Sequence, residues 1–404
     1  MKVVKMNNSV YHLKKILKKS ALLKKINAIL SGLKLEKNYD KIFGHVTPII
    51  NSLSDDKYNE LKCKAIEKIT KNQKPRIIWV GANYEQDYSG FVQALSRIGD
   101  VTVFTRNSGS YGLEAPVIRE SIIFDKERQK NSDRLYSIFE ELGGSQGVDV
   151  VMGQMWSTLV DPAVLDKIRS TGVVVINVAM DDKLPVHWKT DSRGRLAGAI
   201  GLADSVDLTL NTSKQAVSLY AERGLPCIYW PLASDGGVFV PAESKKYDVV
   251  FIGSNYGVRA KVISDLLSAG IDVKAFGPGF PSGLLGPEES AKIFGEAKIV
   301  LGIGFVGYSQ RISTLKLRDF DAMFTGALYI TSRNEDLEEI FFEGEHIAYY
   351  DSTQHLISLI KYYLEHDEER KRIARSALKN ANAHHRWDSR IEDIFNFLGV
   401  KFEQ

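Results

Sequence analysis

The chain has 404 residues, 44% of them apolar, more than one hydrophobic core usually serves, so two domains of ordinary size are expected. Two cysteines, Cys63 and Cys227, exclude a disulfide framework and a thiolate metal site and fit a reducing cytoplasm; no apolar run approaches the about 18 residues that a membrane span needs. The net charge of +3 hides an asymmetry: residues 1–75 hold 17 Lys against 6 acidic residues, which leaves −8 for the rest, a balance that excludes a general nucleic-acid binder with its own basic stripe.

Residues 10–33 read as a helix. Leu13, Ile16 and Leu17 share one side of its first turns, and Lys14, Lys15, Lys18 and Lys19 share the other. Such a helix can lie on an anionic membrane surface, or it can pack across its own domain; the two readings stand equal. Residues 1–75 are therefore expected to form a basic helical extension. From Arg76 the pattern changes to short apolar runs separated by helical stretches, the mark of a parallel sheet covered by helices. Strands are expected at Arg76–Val80, Val101–Phe104, Val148–Met152, Val173–Val178 and Leu208–Asn211, with a helix over Ser89–Ile98.

A link rich in Pro, Ala and Gly, Pro231 to Pro241, closes a first domain of residues 76–241. The alternation then restarts over residues 242–385. Strands are expected at Asp248–Ile252, Val273–Phe276, Lys298–Leu301 and Ala327–Ile330, and helices at about Val258–Ala269, Ser290–Ala297 and Thr314–Phe324. The fold class is α/β, two Rossmann-like doubly wound domains in tandem. Such sheets bind ligands beyond the carboxyl ends of their strands, so a cleft between facing domains is the expected site.

Gly253-Ser254-Asn255-Tyr256 follows one strand and precedes a helix bearing Arg259, so its amides could hold phosphate oxygens; the same turn also serves simply to reverse the chain. Gly277 ends the next strand. Lys316, Arg318 and Asp321 sit near the start of a helix, where one carboxylate can accept both hydroxyls of a ribose and the cations can face a diphosphate; an ordinary surface pair is the plain alternative. In the first domain, Asp181, Asp182 and His187 follow a strand and could bind acceptor hydroxyls or act as a base, or the two acids could cap a helix. Asn83 and Tyr84, after the first strand, form a second acceptor-side loop.

Three apparent motifs carry less. Gly302-Ile-Gly-Phe-Val-Gly307 has the dinucleotide pattern but comes late in its domain; Gly304 reads better as a pocket edge near the donor. Asp319 and Asp321, two apart on a helix, point about 200° apart and cannot chelate one ion. His384 and His385 diverge in the same way and read as surface histidines.

Phe320-Asp-Ala-Met-Phe-Thr-Gly326 resembles the acidic-residue, Ala, Met, small, Gly signature of retaining GT-B glycosyltransferases, whose carboxylate binds the donor ribose. Thr314 to Thr331, Asn334 to Phe341, Tyr349 to Asp351, Tyr362 to Arg370 and Arg386 to Arg390 resemble the C-terminal domain of the CgeB-like (spore protein) glycosyltransferases. Thr212 to Tyr220 and Trp230 to Asp235 are similar to the end of that family's N-terminal domain. The resemblance covers residues 205 to 395 well. It departs at Ser313, where related retaining enzymes carry a second acid, and at Asp321, which is Asp in place of the usual Glu.

The resemblance implies a GT-B fold and a nucleoside-diphosphate sugar held by the second domain at Gly253, Ser254, Asn255, Arg259, Gly277, Gly304, Lys316, Arg318 and Asp321. Residues 386–404 would form a helix crossing back to the first domain. No cofactor and no metal would be needed, because Arg259, Lys316 and Arg318 stabilise the departing diphosphate. Asp182, Arg318 and Lys316 are the expected catalytic residues, and Asn83, Tyr84, Asp181 and His187 the acceptor-binding ones. A glycan, a lipid-linked sugar or a protein could be the acceptor, with envelope polysaccharide or glycolipid synthesis as the setting, in the cytoplasm or at the inner membrane face. Two rivals remain: a sugar-nucleotide 2-epimerase of the same fold, and a non-catalytic envelope or coat component.

Overall fold

The computed structural model describes residues 21–69, 74–115, 125–190 and 194–401. Two wholly parallel sheets dominate it. The first is built from β1 (Arg76–Val80), β2 (Asp100–Val103), β3 (Val150–Gly153), β4 (Val174–Ala179), β5 (Leu208–Asn211) and β6 (Cys227–Tyr229), in the order β2-β1-β3-β4-β5-β6. The second has β7 (Tyr247–Ile252), β8 (Val273–Phe276), β9 (Ala297–Leu301), β10 (Leu328–Ser332) and β11 (Ala348–Tyr350), in the order β11-β10-β9-β7-β8. Ile77 to Val80, Val150 to Met152 and Val174 to Ile176 are all buried, because helices cover both faces of the sheet.

Chain order reverses between β1 and β3 in one sheet, where Ile77 lies opposite Val150, and between β7 and β9 in the other, where Val249 lies opposite Ile299. At such a switch point neighbouring loops diverge and leave a crevice past the strand ends. Each sheet has its own outer-face cluster. A third cluster runs through both domains and includes Trp230, Leu232, Phe239, Phe324 and Trp387, so Leu232 to Asp235 and Phe239 of the linker are buried.

The helix Trp387–Phe397 returns to the first domain and lies on the helix Phe91–Ile98. Trp387 packs edge-on against Phe91 at 5.0 Å and lies 5.5 Å from Trp230. Arg97 spans the junction, 2.8 Å from Asp235 in the linker and 2.7 Å from Asp388.

The N-terminal segment differs from the sequence expectation. Residues 10–20 of the expected helix lie outside the described residues, and the helix that is described runs Ala21–Phe43, ten residues past the expected end. Tertiary contacts carry it on: Phe43 meets the edge of Trp188 at 5.7 Å, the Ser309 hydroxyl donates to Glu36 at 2.6 Å, and Arg311 pairs with Asp40 at 2.7 Å. A second helix, Asp55–Ile69, buries Leu61, Ala65 and Ile69 in the core. Residues 21–69 are thus part of the body, and this stretch is not a loose basic appendage. Elsewhere the expected helix Thr314–Phe324 is shortened to Leu317–Asp321 followed by a 3-10 turn over Ala322–Phe324.

Candidate active site

A cleft of about 400 Å³ lies between the loops that follow β1 and those that follow β7 and β8. Its lower wall carries two arginines. Arg259 opens the helix Arg259–Ser268 and Arg318 sits in the helix Leu317–Asp321; both are nearly inaccessible, at 5% and 8% exposure. Phe251, on β7, is their common platform, with the Arg318 guanidinium 4.7 Å and the Arg259 guanidinium 5.7 Å from its ring centre. Gly253 makes room, since a side-chain carbon there would stand 2.8 Å from the Arg318 guanidinium.

Neither arginine forms an ion pair among the described residues. Arg259 donates to the carbonyls of Ser254 at 3.0 Å and Ile303 at 3.3 Å, and Arg318 donates to the carbonyl of Ile252. The Nε of Arg259 and the Nε and Nη2 of Arg318 are buried without a partner. Burial, reinforced by the positive charge of Arg318, pulls the Arg259 guanidinium down to about 10. Two adjacent cations out of water with three unused donors make a site that is complete only with an anion.

Lys316 and Ser254 complete this wall. Asp319 does not face the cleft: it accepts from the Lys316 amide at 2.7 Å and from the Tyr329 hydroxyl, which anchors the turn that presents Arg318. Asp321 does line the cleft, and its carboxylate accepts from the Ser234 hydroxyl at 2.6 Å. Burial raises its pKa well above the usual carboxylate range, against the opposing pull of Ser234 and Arg318. Arg318 and Asp321 are therefore no surface pair, and the two acids 319 and 321 serve separate partners. Gly277, at φ +121°, abuts the Gly253 carbonyl. Asn255 and Gly304 stand back from the cleft wall. Asn255 ties its loop to Gly279 at 3.0 Å, and the Gly304 amide donates to Ser332 at 3.2 Å.

The opposite wall comes from the loop and short helix after β1. Asn83 lines it while capping the helix Tyr84–Asp87 through the Gln86 amide at 3.0 Å. Tyr84 turns outward and stacks on Tyr88 at 4.4 Å. Glu85, the last residue of the loop expected on the acceptor side, lines the cleft, and so do Gln86 and Ser89, which the sequence reading passed over; their place soon after the first strand was the only signal available. Gln86 bonds Gln154 at 3.1 Å, beside Asp87. Burial lifts the Asp87 carboxyl to about 6 despite the Tyr111 hydroxyl that it accepts at 2.7 Å.

Asp182 requires a correction. It is 2% exposed, and one carboxylate oxygen accepts from Asn211 and from Tyr220, each at 2.8 Å. Burial raises its pKa. It braces β5 against the helix Lys214–Ala221 and cannot touch an acceptor. It caps no helix either, because Leu184 holds that position ahead of the short turn Pro185–Trp188. The Asp181 carbonyl accepts from the Leu184 amide at 2.8 Å and so closes the turn just before Pro185, and the His187 ring lies over Trp156 at 6.4 Å. His385 is likewise not a surface residue: it packs on Phe341 at 4.9 Å and on Phe320 at 5.9 Å.

Residues 259–396 match the protein family described as glycosyl transferase-like. No curated protein matches the chain. Among solved structures, the chain is similar to sucrose-phosphate synthase from Thermosynechococcus elongatus, with a TM-score of 0.56, 12% identity, and 80% of this chain and 98% of that one covered. It is also similar to HepE from Anabaena in complex with UDP and glucose, with a TM-score of 0.55, 13% identity and coverage of 80% and 99%. A glycosyltransferase from Rickettsia africae gives a TM-score of 0.52 at 10% identity, covering 81% and 98%. These likenesses establish the two-domain fold.

Proposed function

From a chain with the GT-B frame of glycosyltransferases and a glycosyl transferase-like C-terminal domain, we propose an enzyme that transfers a sugar from a nucleoside diphosphate to an acceptor hydroxyl. The observation that carries this reading is the buried pair Arg259 and Arg318 beside Lys316, neither of which forms an ion pair among the described residues while three of their donors are unused. A diphosphate supplies both the charge and the several acceptor oxygens that the pair lacks. HepE, of the same fold, is described with UDP and glucose, which supports a nucleotide sugar as donor. Asp321, at the cleft edge, is then placed for the ribose, exchanging or sharing its bond to Ser234.

In the reaction the bond from the anomeric carbon to the diphosphate breaks and a bond from that carbon to the acceptor oxygen forms. The acceptor proton leaves with the diphosphate. Arg259, Arg318 and Lys316 hold the developing negative charge already oriented, which is where electrostatic catalysis gains most, and no metal is required for that purpose. Retention of configuration follows the signature around Asp321. With Asp182 locked inside the domain, no base is assigned to it.

Calorimetry with UDP, GDP, ADP and CDP on the wild type and on Asp321→Ala tests the donor site. One of the four should bind the wild type, and the variant should bind it more weakly; a wild type that binds none ends the proposal.

The first helix offers a second contact. Ile26, Ile29, Leu30 and Leu33, exposed by 41%, 53%, 58% and 57%, fall at spacings of three and four and so share one outward face. Lys34, Lys37 and Lys41 flank it. Apolar side chains ringed by lysine fit an anionic bilayer surface, the lysines reaching to the headgroups. No helix among the described residues is long and apolar enough to cross a membrane, so the contact would be peripheral. Full-length protein should sediment with vesicles containing phosphatidylglycerol and not with pure phosphatidylcholine, and Leu30→Glu with Leu33→Glu should abolish it. Equal sedimentation by wild type and variant removes the membrane role.

A further inference from the structure

A second cavity, of about 490 Å³, opens where the first helix crosses from one domain to the other. Lys183 enters from the loop past β4, Gln215 from the first turn of the helix Lys214–Ala221 past β5, Ser313 and Asn334 from loops past β9 and β10, and Tyr39 and Phe43 from the first helix. It therefore sits at the carboxyl ends of both sheets, on the same cleft edge as the arginine site. Ser313 walls this cavity and Lys316 walls the other, so the two are separated by at most about 10 Å of extended chain.

Its charge differs in kind from that of the arginine site. Lys183 stands 2.8 Å from Asp336 and 2.9 Å from Glu335; Arg311 is 2.7 Å from Asp40; Arg333 is 2.8 Å from both Glu343 and Asp351. Every cation here is compensated, so an anion would gain little. What remains is a wall of fixed donors and acceptors beside two aromatic rings, Tyr39 and Phe43, with centres 4.8 Å apart. One donor is unspent: Asn334, 5% exposed, gives its oxygen to the Asp336 amide, while its Nδ2 is buried without a partner. The Tyr39 side chain, backed by the buried Phe43 and set among neutralised dipoles and one idle amide, matches a ligand that is uncharged, hydroxylated on its rim and apolar on its faces.

We propose that this cavity is the acceptor subsite, that it takes a neutral saccharide, and that the first helix supplies its aromatic wall. The inference rests on the glycosyl-transfer reading and adds to it, because residues 21–43 lie outside the matched span 259–396. Acceptor choice would then be set by a helix that the transferase domain does not contain.

The experiment displays neutral and acidic saccharides on a glycan array. Full-length wild type, Tyr39→Ala, Tyr39→Phe and Asn334→Asp are applied, each with whichever of UDP, GDP, ADP and CDP most raises the wild-type melting temperature. Wild type should retain neutral saccharides in preference. Tyr39→Ala should weaken retention by roughly tenfold, since a stacking ring is lost. Asn334→Asp, which keeps the oxygen that caps Asp336 but removes the donor, should weaken it about fivefold. Tyr39→Phe keeps the ring and should stay near wild type. A wild type that retains no saccharide or only acidic ones, or variants equal to it, overturns the proposal. The nucleotide melting shift, measured on every sample, separates the failures: its absence in the wild type defeats the donor reading, while its persistence with unchanged saccharide retention defeats only the acceptor subsite.

Discussion

At the scale of single residues, Arg259 and Arg318 oppose stability, and in the proposed reading they hold the donor's diphosphate. Each is buried, each repels the other, and neither forms an ion pair among the described residues, with Asp319 and Asp321 acting on them only from a distance. Replacing one by an apolar chain of similar length should therefore stabilise the unliganded protein while removing half of the anion site. For Arg259→Met the expected outcome is a higher melting temperature without nucleotide, together with a loss of about 2 kcal/mol in nucleotide affinity. Thermal shift with and without nucleotide checks both parts, and a variant that is less stable and binds as before would contradict them. Arg259 stood out in the sequence because a strand-to-glycine-to-helix turn precedes it, and Lys316 and Arg318 because they fall near the start of a helix. Asp182 was not, because adjacent acids look alike in a string; only the positions of Asn211 and Tyr220 decide that this one turns inward.

At the scale of elements, the central strands could be read almost to the residue. Arg76–Val80 and Leu208–Asn211 form as expected, since a run buried on both faces has no polar position to blur its ends. The short edge strand Cys227–Tyr229 was missed, as was the place of Gln86 and Ser89, because neither stretch carries a periodic pattern. The turns between elements carry more of the site than the elements do. Gly277, at φ +121° with its α-carbon against the Gly253 carbonyl, lets the loops after β7 and β8 close on each other. Gly277→Ala should cost about 2 kcal/mol through strain at a φ that other residues avoid, and it should weaken nucleotide binding by moving Gly253 away from Arg318. Urea unfolding and calorimetry measure the two effects, and a variant with wild-type stability would show that the turn tolerates a side chain.

At the scale of the molecule, the domains meet through Ser234. Its hydroxyl donates to Asp321 at 2.6 Å, its amide donates to the His385 carbonyl at 3.0 Å, and its own carbonyl accepts from the Trp387 amide at 2.9 Å. Linker, Asp321 and return helix are joined at one residue, so a nucleotide bound at Asp321, as proposed, would act directly on the junction between domains. His385 adds a pH dependence. Burial, aided by the charge of Arg390, holds its imidazole down to about 4. A depressed folded value means that the unfolded chain takes up the proton first as pH falls. The stabilisation is therefore complete above pH 6.5 and is lost between there and about 4, a change of about 3 kcal/mol. Urea midpoints of wild type and His385→Leu should diverge over that window, with only the wild type losing stability from this source; parallel curves would show that the ring is not buried.

What the sequence alone determined was the tandem of parallel sheets, the turn that places Arg259 and the short segment that places Lys316, Arg318 and Asp321, because apolar periodicity and glycine spacing are local properties that survive in a one-dimensional string. What only the tertiary structure decided was which charges find partners. Lys183 meets Asp336 across 153 positions and Ser309 meets Glu36 across 273, whereas Arg259 and Arg318 meet no counter-ion among the described residues. Charge compensation depends on distances in space, and those exist only once the domains and the first helix have packed together.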